Sequence, residues 1–339
     1  TEECHFLVKR TPQMLPLRGL IVTTLLGLVA SSCSQPGIVL GQMPVTLPLP
    51  KGIDVGFNHR AISRYRSPLS GEWRSGDNLE QMLINAIQSA EEEILVAVQE
   101  LSLPRIAESL IAASRLGVNV KVILENKYST PWSQQHELDL SSHGRQRLQR
   151  LSALADQDQN GVVSPEEARN HDALLILQNG QIPWIDDTED GSKGSGLMHH
   201  KFVVIDGERV ITGSANFTNS GIHGDTGATQ TRGNVNHLIS IQSPTLATIF
   251  KKEFAQMWGD GPGGTNDSRF GRNKAAQPLQ TIKVGSMKIS VLFPPHTKTY
   301  PEHGLNVIEN QLGGAKKTIG LALFVFSAQQ LTNLSLIHI

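Results

Sequence analysis

The chain has 339 residues, 39% hydrophobic and 18% charged, enough for two ordinary domains or one large α/β domain with additions. A formal net charge of -1 excludes the global basic field behind non-specific nucleic-acid affinity and leaves room only for a local basic groove. The two cysteines, Cys4 and Cys33, both precede the globular region, so the body has neither a disulfide framework nor a cysteine-based metal site.

Residues 1–13 lack an initiator and read as translated upstream sequence, with Met14 as the start. Arg18 is followed by an apolar run from Gly19 to Ala30. That run is too short to span a bilayer and has the length of a signal h-region. Ala30, Ser31 and Ser32 then lead to Cys33. This resembles a bacterial lipoprotein box, with Ala30 where Leu is preferred. The expectation is a signal segment over 14–33 and export to the periplasm, cell envelope or exterior. Membrane association would come through a lipidated Cys33, the alternative being an uncleaved anchor. Residues 34–54, rich in Pro and Gly from Gly37 to Pro50, read as a linker.

An α/β pattern follows. Leu79, Met82, Leu83, Ala86 and Ile87 are spaced for a helix over 78–90, with Asp77 or Asn78 as N-cap. Ile94 to Val98 reads as a strand, Ile106 to Leu116 as a helix stopped by Gly117, and Val118 to Leu124 as the next strand. The alternation predicts a sheet covered by helices.

Asp156-Gln-Asp158-Gln-Asn160-Gly161-Val162-Val-Ser164-Pro-Glu-Glu167 matches an EF-hand loop. Asp156, Asp158 and Asn160 take its first three side-chain positions, and Gly161 makes the sharp turn. Val162 offers a carbonyl, Ser164 ligates directly or through water, and Glu167 closes the site bidentately. Helices are predicted on both sides, over 145–155 and 165–177, the second with Ser164 as N-cap and Pro165 at its first position. The expectation is structural Ca2+, with no cofactor for catalysis; the alternative is an acidic turn between helices.

The most informative stretch runs from His199-His-Lys201 through Asp206-Gly207 to Gly213-Ser214-Ala-Asn216. Val and Ile flank Asp206-Gly207, a strong hairpin signal. Strand alternation puts His199 and Lys201 on one face and His200 on the other. A two-residue turn would set Ser214 opposite His199; a four-residue turn would set Ser214 opposite Lys201 and Asn216 opposite His199. A three-residue loop is disfavoured because it gathers neither set. Such a cluster suits a phosphodiester: imidazole attacks phosphorus or moves a proton, while ammonium and amide stabilise charge on the non-bridging oxygens. Asp206, roughly 20 Å from His199 along an extended strand, reads chiefly as a turn residue. His223 and His237 are expected to be structural histidines, the alternative being that they line the cleft.

These residues spell H-x-K-x4-D-x6-G-S-x-N at every position, and here the sequence resembles the phospholipase D superfamily over roughly 55–258. The resemblance implies a mixed sheet flanked by helices and an active centre where two such motifs meet. His199 would be the nucleophile forming a phosphohistidine and a second histidine the general acid. A Glu often supports the catalytic histidine in an Asn-x-Glu-Asn-like stretch; here Val235 stands near that place.

Residues 259–280 read as a second linker, after which Ile319 to Ser327 repeats the pattern of Ile94 to Ser102. The expected organisation is therefore a complete first lobe over 55–258 and a second lobe begun over 281–333, the intact protein being a two-lobed monomer. Leu334 to Ile339 resembles adapter-derived sequence. The functional expectation is an exported phosphodiesterase of phospholipase D type acting on a phospholipid. The alternatives are a secreted or periplasmic nuclease, another phosphodiesterase, or a calcium-stabilised binding protein on a degenerate scaffold. The fragment alone is expected to be inactive or very weak.

Overall fold

The computed structural model describes residues 48–192, 197–224, 233–297, 299–321, 323 and 325–337. The expected signal segment, Cys33 and most of the first linker lie outside the described residues. A seven-stranded mixed sheet forms the centre, in the order β1 (Ile53–Phe57), β9 (His237–Gln242), β8 (Arg209–Gly213), β7 (Lys201–Ile205), β4 (Glu93–Val98), β5 (Asn119–Leu124), β6 (Trp184–Asp186). The β4–β5 and β5–β6 pairs are parallel, and the rest are antiparallel. Arg64–Arg66 (β2) and Trp73–Ser75 (β3) make a separate ribbon.

One sheet face is covered by α1 (Leu79–Gln88), α2 (Pro104–Arg115) and α5 (Ala173–Asn179), which bury Leu83, Ile106, Leu110 and Leu177 against Val96, Val122 and Val203. The other is covered by α7 (Pro244–Trp258), whose Phe250, Phe254 and Met257 pack on Ala97, Phe202 and Val204. Burial on both faces explains why the central strands are continuous apolar runs and not alternating ones. Asn78 caps α1, accepting the Gln81 N–H at 3.0 Å.

The helix predicted over 165–177 is two helices, α4 (Pro165–His171) and α5, with α3 (Ser142–Ala155) ahead of them. Asp172 makes the break. Its carboxylate accepts from the N–H groups of Leu174 and Leu175, capping α5, and from the Ser133 N–H and hydroxyl. A buried Asp that satisfies this many donors outcompetes a continuous helical ladder.

After α7, Gln280–Val284 (β10) and Met287–Val291 (β11) form a hairpin of their own. Val284 and Phe293 join the core beneath α7, so the start of the expected second lobe packs on the first. Helices α8 (Gly304–Gly313) and α9 (Gln329–Ile337) follow. The described residues of the repeat over 319–327 form no strand and expose Leu321, Leu323 and Val325. A strand needs a neighbour's backbone groups, and among the described residues none pairs with this segment. No helix among the described residues is long and apolar enough to cross a membrane.

Candidate active site

The β7–β8 hairpin carries the motif, and its turn departs from expectation. Ile205 pairs with Arg209, leaving the disfavoured three-residue connection Asp206-Gly207-Glu208. Asp206 (φ 52°) and Gly207 (φ 62°) form a tight turn closed by the Glu208 N–H on the Ile205 carbonyl at 2.9 Å. Glu208 is then one extra residue, and its carbonyl accepts the Ser243 N–H at 2.7 Å. Asp-Gly thus makes the expected positive-φ turn, but a bulge residue shifts the register by one. Continued beyond Phe202–Thr212, that register sets Ser214 level with His200, not with His199 or Lys201.

The site is gathered instead by a crossing of the chain. Gly213 lies so close to β9 that a Cβ there would stand 2.1 Å from the His237 carbonyl oxygen. Beyond it the backbone leaves β8 and passes over the start of β7. It meets the end of β4, where the Phe217 N–H donates to Glu100 O at 3.0 Å and the Ser102 N–H to Phe217 O at 2.9 Å. Asn216 is thereby delivered to Gln99. The Gln99 Oε1 accepts from Asn216 Nδ2 at 3.1 Å and from Lys201 Nζ at 3.4 Å, while Lys201 Nζ also donates to the His199 carbonyl at 3.1 Å. Gln99 is buried and was missed by sequence reasoning. The available signal was a polar residue closing an apolar strand at its carboxyl end, where sites in α/β sheets collect.

Ser214 goes elsewhere. Its Oγ accepts the His237 N–H and lies 3.2 Å from His237 Nδ1, so His237, assigned a structural role, is brought against a motif residue. His223 is buried, with Nε2 on Glu80 at 3.1 Å and Nδ1 on the Tyr65 hydroxyl at 2.9 Å. Val235 is exposed. The Asn236 amide is spent on the Gly221 carbonyl.

His199 stays at the surface, but desolvation of its inner side, then the charge of Lys201, holds its pKa below the usual imidazole value. The Lys201 ammonium is pushed down to about 8 by burial, against the carboxylate of Glu100, which favours the charged form. His200 faces the opposite side and bonds Glu253 at 3.0 Å. The buried Glu253 also takes Lys274 and, at 2.8 Å, Gln277. Asp206 ties the turn to the segment ahead of β4. Partial burial would raise its carboxyl, but the N–H groups of Glu91, Glu92 and Glu93, at 2.8–2.9 Å, hold it below the ordinary range. It does not join the Lys201 cluster.

An apolar cavity of about 310 Å³ adjoins His199, walled by Met198, Met257, Phe270, Pro294 and Pro295, with Lys274 at its edge. On α3–α4, ligand oxygens of Asp156, Asp158 and Glu167 lie within 4.8 Å of one another. Gly161 turns at φ 85° and donates to Asp156 at 2.9 Å; Asn160 and Val162 complete the loop's internal bonds. Ser164 caps α4 reciprocally with Glu167. Donation from the Ser164 N–H and hydroxyl and the Gln157 N–H lowers the Glu167 carboxyl to about 2, so it stays ionised. An all-oxygen donor set with this turn fits a hard cation such as Ca2+.

The fold and the H-x-K hairpin define a phospholipase D-like domain. Residues 83–258, just over half the chain, match the family described as "Cardiolipin synthase, PLD-like domain", and the chain belongs to that family. Among curated relatives it is 34% identical over 61 residues to a mitochondrial cardiolipin hydrolase of Danio rerio, covering 18% of this chain and 23% of that one. To the Xenopus tropicalis protein of the same name it is 36% identical over 66 residues, covering 20% and 27%. The chain thus spans about a quarter of the length of these relatives. Among solved structures it is similar to the phospholipase D family member Nuc of Salmonella typhimurium, with 21% identity, 64% and 98% coverage, and TM-score 0.36. It is also similar to phosphatidylserine synthase of Haemophilus influenzae Rd KW20, with 15% identity, 59% and 37% coverage, and TM-score 0.32.

Proposed function

We propose that this domain supplies one half of a phosphodiesterase centre that cleaves a phospholipid through a phosphohistidine on His199. The observation that carries the reading is an imidazole kept neutral beside a buried, amide-held Lys201, at the mouth of an apolar cavity. A neutral His199 nitrogen attacks phosphorus and the phosphorus–oxygen bond to the leaving alcohol breaks. Lys201 and Asn216 bind non-bridging oxygens, where charge builds in the transition state. The alcohol leaves with a proton from a second histidine, supplied by a second motif of the same polypeptide. Water then frees His199. The apolar wall favours a lipid over a nucleic acid; the relatives named cardiolipin hydrolase agree with that choice.

Parallel assays of the full-length protein on phosphatidylcholine vesicles and on plasmid DNA test this. Release of headgroup without DNA nicking is expected; DNA cleavage alone would move the enzyme to the nucleases, and no cleavage of either would favour a binding protein. The rate should follow a bell in pH. Its acid limb should lie below about 6.5, where His199 becomes protonated, and its alkaline limb no higher than the Lys201 value of about 8, because the second histidine must also keep its proton. A rate still rising well above that value would remove Lys201 from the charged role.

Calcium, in this reading, is structural: Asp156, Asp158, Asn160, Ser164, Glu167 and the Val162 carbonyl hold it and stiffen the α3–α4 junction. Calcium at about a hundred times its Kd should stabilise the fold by roughly 2.7 kcal/mol, read as a rise in Tm that chelation reverses. An unchanged Tm, or a rise that survives Asp156→Ala with Asp158→Ala, refutes the site. Export through residues 14–33 would place the enzyme at the cell envelope. A mature terminus at lipid-bearing Cys33 supports this; an unprocessed Met14 terminus on envelope-bound protein would select the uncleaved anchor, and one on protein retained in the cytoplasm would reject export.

A further inference from the structure

The catalytic end of the sheet continues into a second, polar depression of about 110 Å³, between the end of β4 and α3. Glu100 directly follows Gln99, and its carboxylate is taken by Arg147 of α3, Nε to Oε1 at 2.6 Å. Arg147 is itself buried and lies against the Tyr128 ring at 5.3 Å. Glu100 also acts on the Lys201 ammonium, so the depression and the catalytic lysine share one carboxylate. They are neighbours.

Arg150 stands three residues further along α3, on the same side of the helix as Arg147. It is exposed, lines the depression, and has no acidic partner within 4 Å among the described residues. Because Glu100 and Arg147 offset each other, the Arg150 guanidinium is left as the net charge of the depression. Across the gap, Asn219 and Ser220 bring an amide and a hydroxyl on the segment that follows Asn216. A guanidinium fork opposite neutral donors is suited to the oxygens of a phosphate.

We propose that this depression, centred on Arg150, binds a second phosphate of the substrate, next to the one that His199 attacks. The proposal rests on the scissile phosphate lying at His199 and Lys201. It selects substrates with two phosphates a few bonds apart, the shared chemistry of a nucleotide chain and of a lipid whose two phosphates are joined through glycerol.

Full-length protein carrying His199→Ala, so that nothing turns over, is titrated with two pairs of ligands. The first pair is thymidylyl-thymidine with and without a 5′-phosphate. The second is phosphatidylcholine vesicles carrying either phosphatidylglycerol or diphosphatidylglycerol at equal lipid charge. In one pair the two-phosphate member should bind about tenfold more tightly, and that pair identifies the source. Arg150→Ala should erase the preference and leave the one-phosphate affinity unchanged, while Arg150→Lys should keep part of it. No preference in either pair, or one that survives Arg150→Ala, overturns the subsite. Lys201→Met separates the two readings: it should weaken the one-phosphate ligands. If it does so while no preference exists, the subsite falls and the catalytic reading stands. If it has no effect, the placement of the scissile phosphate falls and the proposal falls with it.

Discussion

His199→Ala should lower turnover of the full-length enzyme by about 10⁵-fold, the scale on which loss of a covalent nucleophile is felt when the rest of the site remains. The substitution removes the exposed motif imidazole that lines the apolar cavity. The residual rate would come from Lys201 and Asn216, held by Gln99, which would still bind the phosphate but cannot accept it. Stability should change by less than about 0.5 kcal/mol, because His199 is exposed and its side chain closes no buried network. The measurement is steady-state hydrolysis together with a urea melt. Turnover within about tenfold of the unmodified enzyme would refute the nucleophile assignment, and a large loss of stability would point to a structural role.

Glu253→Ala should act in the opposite manner, on stability first. Glu253 is almost wholly buried and accepts from His200, Lys274 and Gln277. Burial by itself would raise its pKa; donation from His200 and the charge of Lys274 outweigh that and hold it below the ordinary carboxylate value. Burial holds the His200 imidazole below its ordinary value, and Lys274 supplies the permanent counter-charge to Glu253. Removing the carboxylate leaves the ammonium of a nearly buried Lys274 without its counter-charge, which costs about 3–5 kcal/mol. Replacing both charges, as Glu253→Leu with Lys274→Met, should recover most of that loss. Because the folded pKa is depressed, this contribution is fully present above the unfolded carboxylate value of about 4.3 and is lost as pH falls through the lower folded value. Urea melts across that range check it; a loss below about 1 kcal/mol would show that the network is solvated.

This network also marks the limit of sequence reading. Glu253 stands on the apolar stripe of α7, between Phe250 and Phe254 in spacing. A charged residue there is a visible sign of a buried partner. Which partner it has is not visible, since His200 lies 53 residues away and Lys274 21 residues away. The same holds for Gln99, which meets Lys201 and Asn216 across more than a hundred residues.

What the chain determined locally is the motif, the strands flanking Asp206-Gly207, the Asn78 and Ser164 caps, and the spacing of the acidic loop. Each of these depends on groups a few residues apart, where backbone geometry and side-chain reach leave little choice. The register of the hairpin was decided by tertiary structure. Ser243 takes the carbonyl of Glu208, and the backbone N–H groups of Glu91 to Glu93 anchor Asp206, so a third turn residue is bonded where a bare two-residue turn would have sufficed. Tertiary structure likewise split the 165–177 helix, through the reach of Asp172 to Ser133. It also separated Ser214 from the Lys201 cluster, because the crossing to β4 carries Asn216 onward and leaves Ser214 beside His237. The residue types for attack on a phosphodiester were written in the sequence. Their arrangement came from which distant backbone and side-chain groups had to be satisfied when the sheet closed.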